Sequence, residues 1–243
     1  MFEKYSEKVF LKTCDCDRYG SWKPDAILEA MQEIAGAHTR VLNLGLSDLR
    51  KMGFAWIISR TKVVFDRVPR IGETIEVVTY PSAEMRLFFP RTHVFMDESG
   101  KEIGRAGALW LLMDLNTRKI SVSEEVLKRM PENRGDMKFT VMPESVRPLE
   151  TEAVVNEFEP PFSDYDINGH VNNTKYLQWC INAIGAKHLN ASVIREFNVC
   201  YEAEISDDVT VKADLRCDGD RFTYSGEAEG KRRFSVSGVF GKR

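Results

Sequence analysis

The chain repeats itself. Asp15-Cys-Asp17-Arg-Tyr-Gly20 and Asp164-Tyr-Asp166-Ile-Asn-Gly169 share an Asp-x-Asp-x-x-Gly frame at an offset of 149. A repeat of this kind limits the architecture, because each copy must form one structural unit. After each frame, apolar residues recur at helical spacing. In copy one they are Ile27, Leu28, Met31, Ile34 and Ala35, predicting a helix from 24 to about 44. In copy two they are Tyr176, Leu177, Cys180, Ile181 and Ile184, predicting a helix from 173 to about 187. Residues 63–77 then resemble 197–211 at an offset of 134, so copy one holds roughly 15 extra residues around 44–56. Further strands are expected at 86–96 and 105–115 in copy one, and at 209–217, 222–229 and 233–240 in copy two. Thr74-Ile-Glu-Val-Val-Thr and Val209-Thr-Val-Lys-Ala-Asp-Leu show the alternation of half-buried strands. Asp97-Glu-Ser-Gly100 and Asp218-Gly-Asp220 read as hairpin turns. Residues 121–127 predict a short helix capped by Ser121 or Ser123. The fold class is α+β: two tandem units, each a long helix on a curved antiparallel sheet. The units are placed at 1–130 and 155–243, and the proline-marked stretch 131–154 is read as a linker.

The two copies differ where chemistry would be carried. Asn168 stands where copy one has Tyr19, and His170 where it has Ser21. Asn172-Asn173 replace Lys23-Pro24, and at the second offset Glu202 faces Val68. The scaffold residues, Asp17 and Gly20 against Asp166 and Gly169, are kept. Read as an extended segment, Asp166, Asn168 and His170 project to one side. The Asn pair is expected to cap the following helix. The N–H groups at that helix start, on Val171 and Asn172, are then oriented to stabilise an oxyanion.

Composition narrows the class. A net charge of −3 over 243 residues argues against bulk nucleic-acid binding. Five cysteines without framework spacing are read as reduced thiols of a cytoplasmic protein. The N-terminus has charges at positions 3, 4, 7 and 8, so it does not read as a signal peptide, and no apolar run is long enough to span a membrane. His38, His93 and His188 have no ligand spacing, so no metal is expected, and no cofactor motif is present.

The run Asp166-x-Asn168-x-His170-Val-Asn-Asn-x-x-Tyr176 resembles the signature of the acyl-acyl carrier protein thioesterases, a branch of the hotdog-fold thioesterases. The resemblance extends over nearly the whole chain. It implies two tandem hotdog domains forming a pseudo-dimer. The implied reaction is hydrolysis of a fatty acyl-carrier protein thioester by water activated by a carboxylate. Asn168 and His170 would orient the reacting groups, with Asp166 holding them in place. The family's acidic residue falls within Tyr201-Glu202-Ala-Glu204-Ile-Ser-Asp207, with Glu202 as first choice for the base and Glu204 as second. Some plant members carry a cysteine near this point, but Cys180 and Cys200 here occupy apolar positions and read as core.

In the same reading copy one binds the acyl chain, with Ala30, Ile34, Phe54 and Trp56 as pocket candidates. The expected partner is an acidic acyl carrier protein bearing a phosphopantetheine thioester. Its docking rim is sought among Lys175, Arg195 and Arg221, with Lys231, Arg232 and Arg233 as further basic residues. A homodimer is a further expectation. Coenzyme A esters also end in phosphopantetheine, so an acyl-coenzyme A thioesterase is the alternative, and a non-catalytic acyl-binding module a second one. Hotdog hydratases resemble Asp-x-Asn-Pro-x-His, and this chain has Gly169 after Asn168.

Overall fold

A computed structural model describes residues 3–206 and 209–243. The chain divides into two compact units, one ending at Pro143 and one running Glu144–Arg243, with Pro24–Ala26 counted with the second. In the N-terminal unit β1 (Tyr5–Phe10) precedes α1 (Pro24–Val41) and the short α2 (Leu46–Lys51). Then come β2 (Phe54–Phe65), β3 (Thr74–Pro81), β4 (Phe88–Met96), β5 (Glu102–Asp114), β6 (Lys119–Ser121) and α3 (Glu124–Arg129). All pairs are antiparallel, in the order β1-β3-β4-β5-β2 with β6 on β5.

The C-terminal unit repeats the plan. It has β7 (Val154–Phe158), α4 (Lys175–Leu189), β8 (Ser192–Tyr201), β9 (Val211–Asp218), β10 (Arg221–Ala228) and β11 (Lys231–Lys242). Its order is β8-β11-β10-β9-β7, antiparallel throughout. Each strand of this unit thus has a counterpart in the first, and the fold is the expected α+β one of two like units.

The periodicities hold. Ile27, Leu28, Met31, Ile34 and Ala35 of α1 are all buried. So are Ile75 and Val77 of β3 and Val211, Ala213 and Leu215 of β9, while Lys212 points to water. The expected turns form as well: Asp97 Oδ1 accepts from the Ser99 and Lys101 N–H groups, and Gly100 takes the positive φ the turn requires. Ser123, not Ser121, caps α3 by accepting from Val126 N. The residues 44–56 peculiar to copy one build α2 and the start of β2. No helix among the described residues is long and apolar enough to cross a membrane.

Helix α4 departs from the reading in two ways. It starts at Lys175, and Asn173 does not cap it; Asn172 Oδ1 accepts from Thr174 N and Oγ1 at 3.0 and 2.9 Å in a turn just before the helix. It is also interrupted at Gly185, whose φ of 63° and ψ of −171° belong to glycine.

Candidate active site

The frame residues build a tight turn, not an extended segment. Asp166 N donates to His170 O at 2.8 Å, and Gly169 N donates to Asp166 O at 3.0 Å with Gly169 at a φ of 75°. Asp166 Oδ1 accepts from Asn168 N at 2.8 Å, and Oδ2 lies 3.4 Å from Asn168 Nδ2. So Asp166 holds both the backbone and the amide of Asn168, and the turn, not strand alternation, gathers the polar groups. Copy one makes the same turn: Asp17 N donates to Ser21 O, and Asp17 Oδ1 accepts from Tyr19 N and Ser21 N. The Asp and Gly of the frame are therefore structural, and the residues that changed lie between and after them.

The turn is tied to α4 from below. Buried Asp164 accepts from Trp179 Nε1 at 2.7 Å. Tyr176 stacks on Phe234 of β11, with ring centroids 4.5 Å apart and planes within 10°, and Trp179 meets Tyr176 edge-on. Burial pushes the Tyr176 phenol well above its ordinary pKa, so it stays protonated, and the Ile205 backbone N–H faces it.

Glu204 reaches the imidazole, and Glu202 does not. His170 Nε2 lies 3.4 Å from Glu204 Oε2, with both side chains partly exposed, 35% and 52%. Glu202 is committed elsewhere: Arg232 Nε donates to its Oε2 at 2.6 Å and Ser235 Oγ to its Oε1 at 2.8 Å. The backbone explains the difference. Past the end of β8, Glu202 N and Ala203 N both donate to Arg233 O, placing two residues against one as a bulge does. The period-2 rule therefore fails for 202 and 204. The repeat register moves with it: Trp22 N donates to Pro69 O and Val171 N to Ile205 O, an offset of 136 instead of 134. At that offset Glu204, not Glu202, stands opposite Val68. Asp207, which closes the motif stretch, lies outside the described residues.

The other site candidates are spread over both units. Val171 N and Asn172 N donate to Ile205 O and Asp164 O at 2.9 and 2.8 Å, so neither is left to stabilise an oxyanion. Arg221 pairs with Val239 and Arg195 falls at the irregularity between Val239 and Phe240, whereas Tyr201 pairs with Phe234, so both arginines lie toward the far end of the sheet from Glu204. Arg232 and Arg233 lie at the near end, Arg233 Nη1 donating to Glu204 O at 2.9 Å. Lys175 opens α4 beside the turn. Of the pocket candidates, Trp56 lines the N-terminal unit's cavity, as do Ala35 and Gly36, while Ala30, Ile34 and Phe54 do not. Cys180 and Cys200 are buried, as expected of core thiols, and burial pushes the Cys180 thiol well up.

Residues 3–130 match the acyl-ACP thioesterase N-terminal domain, and residues 148–234 match the acyl-ACP thioesterase C-terminal domain. The chain belongs to the acyl-ACP thioesterase family. Among curated relatives, a chloroplastic palmitoyl-acyl carrier protein thioesterase of Arabidopsis thaliana is 24% identical over 84% of this chain and 54% of its own length. A chloroplastic oleoyl-acyl carrier protein thioesterase 2 of the same plant is 24% identical over 84% of this chain and 60% of its own. The chain thus spans about half the length of the curated relatives it matches. Among solved structures, an acyl-ACP thioesterase from Bacteroides thetaiotaomicron superposes with a TM-score of 0.88 at 22% identity, covering 98% of both chains. The 12:0-ACP thioesterase from Umbellularia californica gives 0.87 at 19% identity, covering 100% of this chain and 99% of its own. At such identity these likenesses speak for the fold.

Proposed function

We propose that the protein hydrolyses the thioester of a fatty acyl-acyl carrier protein, releasing a free fatty acid. The observation that carries this is the His170–Glu204 pair beside Asp166-held Asn168, at positions where copy one has Ser21 and Val68. Glu204 takes a proton from a water molecule, and the water oxygen adds to the thioester carbon. The Asn168 amide donates to the carbonyl oxygen as negative charge develops there. The tetrahedral intermediate collapses, the carbon–sulfur bond breaks, and the sulfur leaves as a thiol carrying the proton Glu204 had accepted. His170, donating from Nε2, orients the Glu204 carboxylate.

The acyl chain occupies the cavity of the N-terminal unit, where Trp56 and Phe89 meet edge-on. The carrier protein docks on Lys231, Arg232 and Lys175, with exposed Phe162 and Ile167 as its apolar contacts. All five cysteines are unpaired, which supports action in a reducing compartment.

Thiol release from acyl-carrier protein and acyl-coenzyme A esters over a series of chain lengths tests this. Fast release from the carrier-protein ester, lost in His170→Ala, is expected. Turnover of coenzyme A esters alone transfers the function to that substrate class. No turnover of either overturns the hydrolase reading.

A further inference from the structure

The N-terminal unit holds a half-open cavity of about 200 Å³ between α1, α2, β2, β4 and β5. Its walls are mostly apolar, including Ala35, Leu49, Trp56 and Phe89. One cation interrupts them. Phe89, Arg91, His93 and Phe95 of β4 alternate onto one buried face, so strand periodicity carries a guanidinium into the core.

Arg91 is 6% exposed and lines the cavity. Its Nη1 lies 3.1 Å from His38 Nδ1 and donates to Thr79 Oγ1 at 3.2 Å. A guanidinium only donates, so His38 Nδ1 accepts and His38 is neutral. Neither partner carries a charge. Among the described residues no carboxylate pairs with Arg91, and its Nε and Nη2 make no hydrogen bond. A buried ion with no counter-charge is costly, and folds keep one only where something else meets the demand.

Gln32 Nε2 and Trp110 Nε1, both on residues of the cavity wall, are buried without a protein partner. Behind them a void of about 10 Å³, room for one water, is shared by Gln32, Trp110, Thr61 and His93. Arg91 does not line that void but does line the main cavity, so an occupant of the main cavity can meet its remaining donors. An unsubstituted hydrocarbon chain offers them nothing, and filling the cavity with one strands them in a dry site.

We propose that this cavity selects acyl groups that carry an oxygen substituent on the distal part of the chain, a hydroxyl, keto or carboxylate oxygen that accepts from Arg91. This rests on the reading that the N-terminal unit holds the acyl chain of a thioester substrate. It changes the substrate class from plain fatty acyl groups to oxygenated ones.

The kinetic test compares acyl-carrier protein esters of one chain length: unsubstituted, distally hydroxylated, distally oxidised to the ketone, and ending in a carboxylate. Wild type is expected to favour at least one oxygenated ester over the unsubstituted one by roughly 10- to 100-fold in kcat/KM, the range of a hydrogen bond to a charged group. Arg91→Met is expected to bring that ratio to about one. Gln32→Leu, on the same wall, is expected to lower it in part and serves if Arg91→Met does not fold. A second arm needs no turnover: binding of S-alkyl pantetheine with and without a distal hydroxyl, followed calorimetrically in wild type and Arg91→Met. Preference for the hydroxylated probe, lost in the variant, supports the proposal even if no ester is hydrolysed. Hydrolysis of unsubstituted esters with no preference in either arm overturns the proposal and leaves the hydrolase reading standing.

Discussion

Glu202 and Glu204 differ by two positions, and nothing in the local sequence separates them. The separation comes from Arg233, whose carbonyl receives both Glu202 N and Ala203 N and turns the chain so that Glu204 alone meets His170. Glu204→Gln is therefore expected to lower kcat by about 10²–10⁴-fold. Glu202→Gln, which disturbs Arg232 and Ser235 instead, is expected to lower it less than about tenfold. Single-turnover thiol release decides; equal losses would return the base assignment to either residue. His93 allows a second prediction at this scale. Burial, with a smaller contribution from the Arg91 charge, brings its pKa down to about 3 from the ordinary 6.5, against an opposing effect of the Met31 backbone. Its folded pKa is depressed, so below the unfolded value the unfolded chain binds a proton that the folded one refuses. The stability is fully present above pH 6.5 and is lost as pH falls toward 3, with a slope approaching 1.4 kcal/mol per pH unit. Urea midpoints across that window should fall less steeply for His93→Phe than for wild type; parallel curves would refute the assignment.

Helix α4 shows what an element inherits from its neighbours. Its apolar spacing was readable because Tyr176, Leu177, Cys180 and Ile184 all face the core. Its start was not, because the Asn172 side chain satisfies Thr174 and delays the helix to Lys175. Its break was not readable either: an isolated glycine in a helical pattern is ordinarily tolerated, and only the backbone angles identify Gly185 as the point of interruption. Open space surrounds that glycine, so Gly185→Ala tests the backbone alone. It is expected to destabilise by about 1–3 kcal/mol in chemical denaturation, and an unchanged midpoint would show that the helix can close over the site. Trp179→Phe keeps the ring but strands the buried Asp164 carboxylate. A loss of about 1–3 kcal/mol is expected there, measured by chemical denaturation.

Across the whole molecule, charge and repetition act differently. The net charge of −3 cannot draw the acidic partner proposed above, so on that proposal attraction is local, at basic residues such as Lys231 and Arg232 beyond the β10 to β11 turn. Raising salt is expected to lower kcat/KM severalfold for carrier-protein esters and less for coenzyme A esters. Lys231→Glu should act in the same direction while leaving kcat in place, because a rim charge changes encounter more than chemistry. Insensitivity of the carrier-protein rate to both would place docking elsewhere. The twofold plan was legible because folding requires it twice: the same Asp-x-Asp-x-x-Gly turn, helix and five-stranded order each need their own buried periodicity and turn residues, and such local requirements are written in consecutive residues. The sequence alone therefore determined two α+β units, their core faces, and the frame that carries Asp166, Asn168 and His170, though not that the frame closes as a turn. Which glutamate meets His170, which N–H groups are already taken, and that an arginine lies buried without a carboxylate were decided only by tertiary structure. Each depends on a partner far away in sequence, and spacing along the chain does not encode the register that brings the two together.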